Sequence, residues 1–153
     1  MNRLETRDYE KSLKIESVAL NKFSKKEMAK MLGSKDTITD RQKNAQALCD
    51  YLNEKFGMPK CKVIVTDTAQ PHSTNSMGNL KSKELGNYRP HLMVITLFNK
   101  TAVKKQTVAI KTLTDTLLHE YIHHYDMEFL KLGASPHTSG FYKRISDLKS
   151  KLI

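Results

Sequence analysis

The stretch His119-Glu120-Tyr121-Ile122-His123 governs how the rest of this chain is read. It has the pattern H-E-x-x-H. On a helix, positions four apart lie on one face, so His119 and His123 can bind one metal ion together. Glu120 then lies beside the metal, where it can take a proton from an attacking water. With six His and eight Glu in 153 residues, chance alone would produce such a pentad in roughly one per cent of chains. The surroundings sharpen the signal. Ile110, Leu113, Leu117, Leu118, Tyr121, Ile122, Tyr125 and Phe129 cover most of a helix surface, which predicts a helix buried nearly all round. Two imidazoles and a carboxylate in such a helix need something to satisfy them.

Tetrahedral zinc with an open position needs a third protein ligand. The candidate is His137, fourteen residues past His123 and just beyond a chain reversal at Gly133. Ser135-Pro136 opens a last helix there, with Phe141, Ile145 and Leu148 inward. Antiparallel packing of that helix on the motif helix would return His137 to the metal. His124 lies about 100° around the helix from His123 and points elsewhere. Glu128 is about 7 Å further along the axis and poorly placed. His72 reads as an exposed loop histidine and His91 as a strand-edge histidine. The extended spacing H-E-x-x-H-x-x-G-x-x-H is absent, because Asp126 and Phe129 occupy its Gly and third His positions.

The length fits one domain with a real core. No stretch is long and apolar enough to span a membrane, so no membrane partner is expected. The N-terminal residues lack the apolar run of a secretion signal. Cys49 and Cys61 form no C-x-x-C pair and read as reduced, half-buried thiols, which implies a cytoplasmic setting. Net charge is +10; residues 1–40 hold 9 Lys+Arg against 7 Asp+Glu, and residues 41–153 hold 17 against 9. The excess therefore sits in the part that carries the motif. A basic face suits a polyanion such as DNA, although a generally lysine-rich surface gives the same count.

Reading along the chain, residues 1–22 show neither helical nor strand period cleanly and fit an arm or an added helix. Ser24-Lys25-Lys26-Glu27 and Thr39-Asp40-Arg41-Gln42 are capping-box patterns. The first opens a short helix with Met28, Met31 and Leu32 inward, stopped by Gly33. The second opens a helix with Ala45, Leu48, Leu52 and Phe56 on one stripe, ending near Gly57. Thr39 and Gln42 stand where a DNA-recognition helix would need apolar residues, so this pair reads as a small helical hairpin. Lys62–Thr66 reads as a strand, residues 67–78 as a loop, and Gly86-Asn87 as a turn. His91–Leu97 is the strongest strand pattern, with Pro90 at its start. It is either a sheet edge able to pair with an extended substrate or an interior strand. The motif helix is expected from near Gln106 to about Leu130. The predicted fold class is therefore α+β, with a small, mostly antiparallel sheet packed against the motif helix.

These residues bear a family resemblance. His119-Glu120-Tyr121-Ile122-His123 followed by His137-Thr138-Ser139-Gly140-Phe141 resembles the SprT-like zinc metallopeptidases, related to Spartan. There a third histidine opens an H-x-x-x-F segment, and Phe141 matches its phenylalanine. Asn87-Tyr88 and the strand from His91 to Leu97 are similar to the strand that precedes the family's motif helix. The resemblance covers roughly residues 40–150. It implies a zincin-like fold and a metallopeptidase domain over residues 40–153, with residues 1–39 as an N-terminal extension. It implies Zn2+ held by His119, His123 and His137, with Glu120 as general base in hydrolysis of a protein or peptide substrate. Pro136 and Thr138 stand where the family often has Gly. The four-cysteine zinc ribbon of many members is absent from this sequence, so any DNA role rests on the basic surface. Tyr125 and Tyr142 are candidates to stabilise an oxyanion. The alternative is a non-catalytic zincin-like module that binds nucleic acid or a regulatory protein. A protease that cuts a repressor fits the same residues.

Overall fold

A computed structural model describes residues 2–153. Its element order is α1 (Arg3–Lys14), α2 (Lys26–Leu32), α3 (Ile38–Phe56), β1 (Lys62–Ala69), β2 (His72–Thr74), β3 (Leu80–Lys83), β4 (Gly86–Arg89), β5 (Val94–Lys100), α4 (Ile110–Glu128) and α5 (Ser139–Leu152). The fold is α+β. No helix among the described residues is long and apolar enough to cross a membrane.

Helices α2 and α3 lie where their apolar stripes predict, but their caps differ. Lys25 precedes α2 with no side-chain cap. Thr37, not Thr39, caps α3 by accepting from the Asp40 backbone N–H. The two threonines stand two residues apart and both precede a polar residue at the capping spacing, so local pattern cannot choose between them. Gly57 closes α3 in the left-handed region at φ 67°, where glycine carries no Cβ penalty.

The sheet corrects the sequence reading more deeply. The strand order is β1-β5-β4, with β5 antiparallel to β4 but parallel to β1. The sheet beside the motif helix is thus mixed, not mostly antiparallel. The chain leaves β1, makes the β2–β3 hairpin and β4, and only then returns beside β1, a connection long enough for a parallel crossover. β2 lies within residues 67–78, expected to be loop, and β3 follows in a stretch with no strand reading; the side chains of both are all exposed and so carry no apolar alternation to betray them. Gly86-Asn87 is strand, not turn. A Cβ on Gly86 would stand 2.8 Å from Thr116 Cγ2 and 2.8 Å from the Thr96 carbonyl oxygen; the glycine serves the close approach of β4 to α4. The turn lies at Pro90–Met93 instead, with Met93 at φ 52°. β5 therefore starts at Val94, three residues later than the apolar run suggests, and it is the interior strand of its sheet.

The two outer edges of the sheet differ. The edge of β1 is sealed by two glutamines one turn apart on α3. Gln46 Nε2 donates to the Cys61 carbonyl at 3.0 Å, and its Oε1 accepts from the Val63 N–H at 2.8 Å. Gln42 donates to the Val63 carbonyl and accepts from the Val65 N–H. Two side-chain amides thus stand in for a neighbouring strand and block edge-to-edge pairing. β4 has no strand on its far side among the described residues.

The segment read as an arm or added helix is α1, capped by Asn2 and Glu5 in a capping box. It packs on α5. Arg144 donates to the Ser12 and Ile15 carbonyls at 2.7 and 2.6 Å. The core is built around α4, with Leu113, Leu117, Leu118, Tyr121, Ile122 and Tyr125 all buried.

Candidate metal centre

His119 and His123 lie one turn apart on α4, with ring centroids 5.1 Å apart. His137 comes from the segment between α4 and α5, its ring 4.9 Å from His119 and 5.0 Å from His123. It precedes α5 and does not lie within it. The helix is capped by Thr138, which accepts from the Phe141 N–H at 3.1 Å, rather than opened by Ser135-Pro136. One ring nitrogen from each histidine falls within 4.8 Å of the others. His123 Nε2 and His137 Nε2 face each other at 3.0 Å. Nitrogens at 2.0–2.1 Å from a tetrahedral zinc are about 3.4 Å apart, so the donor set fits such an ion with small ring rotations.

Phe141 is the floor under all three rings. Its centroid lies 5.0 Å from His119, 4.6 Å from His123 and 5.1 Å from His137, and it is fully buried. One aromatic at the first turn of α5 thereby fixes the height of the whole cluster. Burial pushes the His123 imidazole down to about 3, with the charges of His119, His137 and Arg144 adding to it. Burial lowers His119 as well. Both rings are held neutral, the form that ligates metal.

Glu120 is only 8% exposed. Burial, and then the Glu84 carboxylate, push its pKa up to about 7. It lines two clefts that share Gly86, His119, Glu120 and His137. One, of about 540 Å³, also has Tyr88, Pro90, Met127 and Ala134 in its wall. The other, of about 620 Å³, has Glu84, Thr112, Asp115 and Thr116. The histidine cluster therefore stands between two halves of one groove, an arrangement that can take a chain running past it on both sides. A cavity of about 680 Å³ between α1 and Lys131-Leu132 contains none of the candidate site residues.

The remaining candidates separate cleanly. His124 is buried away from the cluster; its Nε2 donates to the Pro59 carbonyl at 3.0 Å and its Nδ1 accepts from the Tyr88 hydroxyl at 2.7 Å. His72 and His91 are exposed and Glu128 lies outside the cluster. The Tyr125 hydroxyl accepts the Ala19 N–H at 3.1 Å inside the core, which withdraws it from oxyanion work. Tyr142 is half exposed, its ring 6.2 Å from His119 and 5.9 Å from His137. Cys49 and Cys61 are free and fully buried rather than half-buried.

Three residues that sequence reasoning did not single out complete the surroundings. Ser135 Oγ lies 2.8 Å from His123 Nδ1 and donates to Asp126 Oδ2 at 2.8 Å. Asp126 is bound in turn by Arg144 at 3.0 and 2.7 Å, with both side chains fully buried. A signal was available: Asp126 interrupts the apolar surface of the motif helix, and a carboxylate there demands a cation. Comparison with protein-family models, with curated proteins and with solved structures finds no match to this chain.

Proposed function

We propose that this protein is a zinc-dependent endopeptidase with a zincin-like fold, akin to the SprT-like metallopeptidases that its motifs resemble. The observation that supports it best is the convergence of three imidazoles beside a buried carboxylate, midway along a groove. His119, His123 and His137 would hold the ion. A bound zinc ion supplies Lewis acidity to the scissile carbonyl and to the attacking water. Glu120 takes the water's proton on a carboxylate oxygen and delivers it to the leaving amine. Its burial keeps bulk water from competing for that proton.

The open edge of β4, beside the Gly86–Tyr88 wall of the groove, supports an extended peptide as substrate. The role considered for the strand of residues 91–97 thus passes to β4, since β5 has neighbours on both sides. The charge of +10 favours proteins bound to DNA as substrates and a reducing cytoplasm suits the two free thiols.

The test is Glu120→Gln, assayed with an unfolded protein substrate and with zinc content measured alongside. The expected result is one retained zinc and no cleavage. Cleavage at the wild-type rate would refute the mechanism. The same charge favours a second reading, a non-catalytic module that binds nucleic acid. Salt-dependent DNA binding by a wild-type protein that cleaves nothing would favour that reading.

A further inference from the structure

We infer that Ser135, Asp126 and Arg144 are positioning residues for the metal centre: they hold the His123 ring with its proton on Nδ1 and its lone pair on Nε2, and they tie that orientation to the docking of α1. The inference rests on the three-histidine reading above.

The argument is one of proton counting. A guanidinium keeps all its protons, and Arg144 directs Nε at Asp126 Oδ1 (3.0 Å) and Nη2 at Oδ2 (2.7 Å). Both carboxylate oxygens therefore accept. Ser135 has a single hydroxyl proton, and Asp126 Oδ2, 2.8 Å away, takes it. Toward His123, Ser135 Oγ is left with lone pairs only, so the contact at 2.8 Å is an Nδ1–H donating to Oγ. A neutral imidazole with its proton on Nδ1 presents a lone pair at Nε2. That is the atom facing His137 Nε2 at 3.0 Å. The other tautomer would lose its bond to Ser135 and drive an N–H into the cluster.

The chain of bonds continues past Asp126. Arg144 also donates to the Ser12 carbonyl at 2.7 Å, the Ile15 carbonyl at 2.6 Å and the Ser12 hydroxyl at 3.0 Å. The Ser12 hydroxyl lies 2.9 Å from Thr138 Oγ1, next to His137 in the chain. From α5, the same guanidinium thus braces the partner of one candidate ligand and, through the Ser12 hydroxyl of α1, the neighbour of another. A fully buried ion pair adds little stability over apolar packing of the same volume. What Arg144–Asp126 supplies that apolar side chains could not is a fixed acceptor for Ser135.

The experiment compares zinc and cobalt binding by wild type, Ser135→Ala and Ser135→Thr in chelator competition, with the cobalt absorption spectrum and melting of the chelator-treated proteins recorded together. Outer-shell partners of metal-bound histidine are commonly worth about 10- to 100-fold in affinity. Ser135→Ala is expected to lose that much and to alter the cobalt spectrum while melting as wild type does. Ser135→Thr, which keeps the hydroxyl, is expected to recover most of the affinity. Binding by Ser135→Ala as tight as wild type would overturn the relay and leave the three-histidine site standing. A wild type that binds neither ion would overturn both. Imidazole 15N NMR of the chelator-treated wild type gives a reading independent of any variant: His123 protonated on Nδ1 is expected, and protonation on Nε2 would overturn the inference.

Discussion

Gly140 sits at the first turn of α5, where α1 crosses closest. A Cβ built on it would lie 2.1 Å from the Ser12 carbonyl oxygen and 2.7 Å from that of Leu13. Side-chain carbons do not approach within 3.0 Å, so Gly140→Ala requires α1 to retreat by about 0.9 Å. A retreat along the Arg144 bonds would stretch contacts of 2.7 and 2.6 Å to about 3.5 Å, where a hydrogen bond is largely lost. Each bond to a charged donor contributes about 1.5–3 kcal/mol. If α1 instead stays in place, the overpacking strain costs about 1–3 kcal/mol. Opposing either route, alanine gains about 1 kcal/mol over glycine in a helix. The steric term wins, and a net loss of about 2 kcal/mol is expected, or about 4–8 °C in Tm for a domain of this size. Urea unfolding gives the magnitude, and amide exchange in α1 gives the location, with protection lost there first. An increase in stability by the propensity difference would show that α1 does not dock on Gly140, and the route from Arg144 to the N-terminal helix would fall with it.

Two further outcomes are expected. Gln42→Ala or Gln46→Ala strands one backbone donor and one acceptor on the edge of β1, at a cost of about 1–3 kcal/mol. The double variant opens a second sheet edge, so sedimentation should show concentration-dependent association that neither single variant reaches; a monodisperse double variant would remove the edge-sealing role. For pH, His123 in the unfolded chain takes a proton near 6.5, whereas the folded ring resists until about 3. The unfolded state binds more protons in that window, so the contribution is intact above pH 6.5 and is lost as pH falls toward 3. Glu120 has the opposite sign: its raised pKa contributes stability below the ordinary carboxylate value, which is lost as pH rises through about 7. In chelator, His123→Gln should therefore flatten the acid limb of urea midpoint against pH, and an unchanged limb would refute burial as the cause of the shift.

What could be read from sequence was what is local in the chain. The face of α4 that carries His119, Glu120 and His123 follows from helical spacing. The stripe of α3 and the left-handed stop at Gly57 follow from contacts within a turn or two. The α+β class follows from the order of such segments. Strand register was less legible. The apolar run from His91 to Leu97 includes an exposed turn residue, Leu92, and only pairing with β1 and β4 decides that β5 begins at Val94. The β2–β3 hairpin was silent because it buries nothing.

The candidate centre divides along the same line. Two of its histidines were determined by periodicity alone, because a helix repeats every 3.6 residues whatever surrounds it. The arrival of His137 depends on Phe141 packing beneath three rings and on Thr138 and Ser12 meeting across the molecule. Ser135, Asp126 and Arg144 gain their meaning only when α1, α4 and α5 are docked, since Arg144 reaches a carbonyl 132 residues away in the chain. Hydrogen-bond partners at that separation leave no period in the sequence, and only the folded packing brings them within 3 Å.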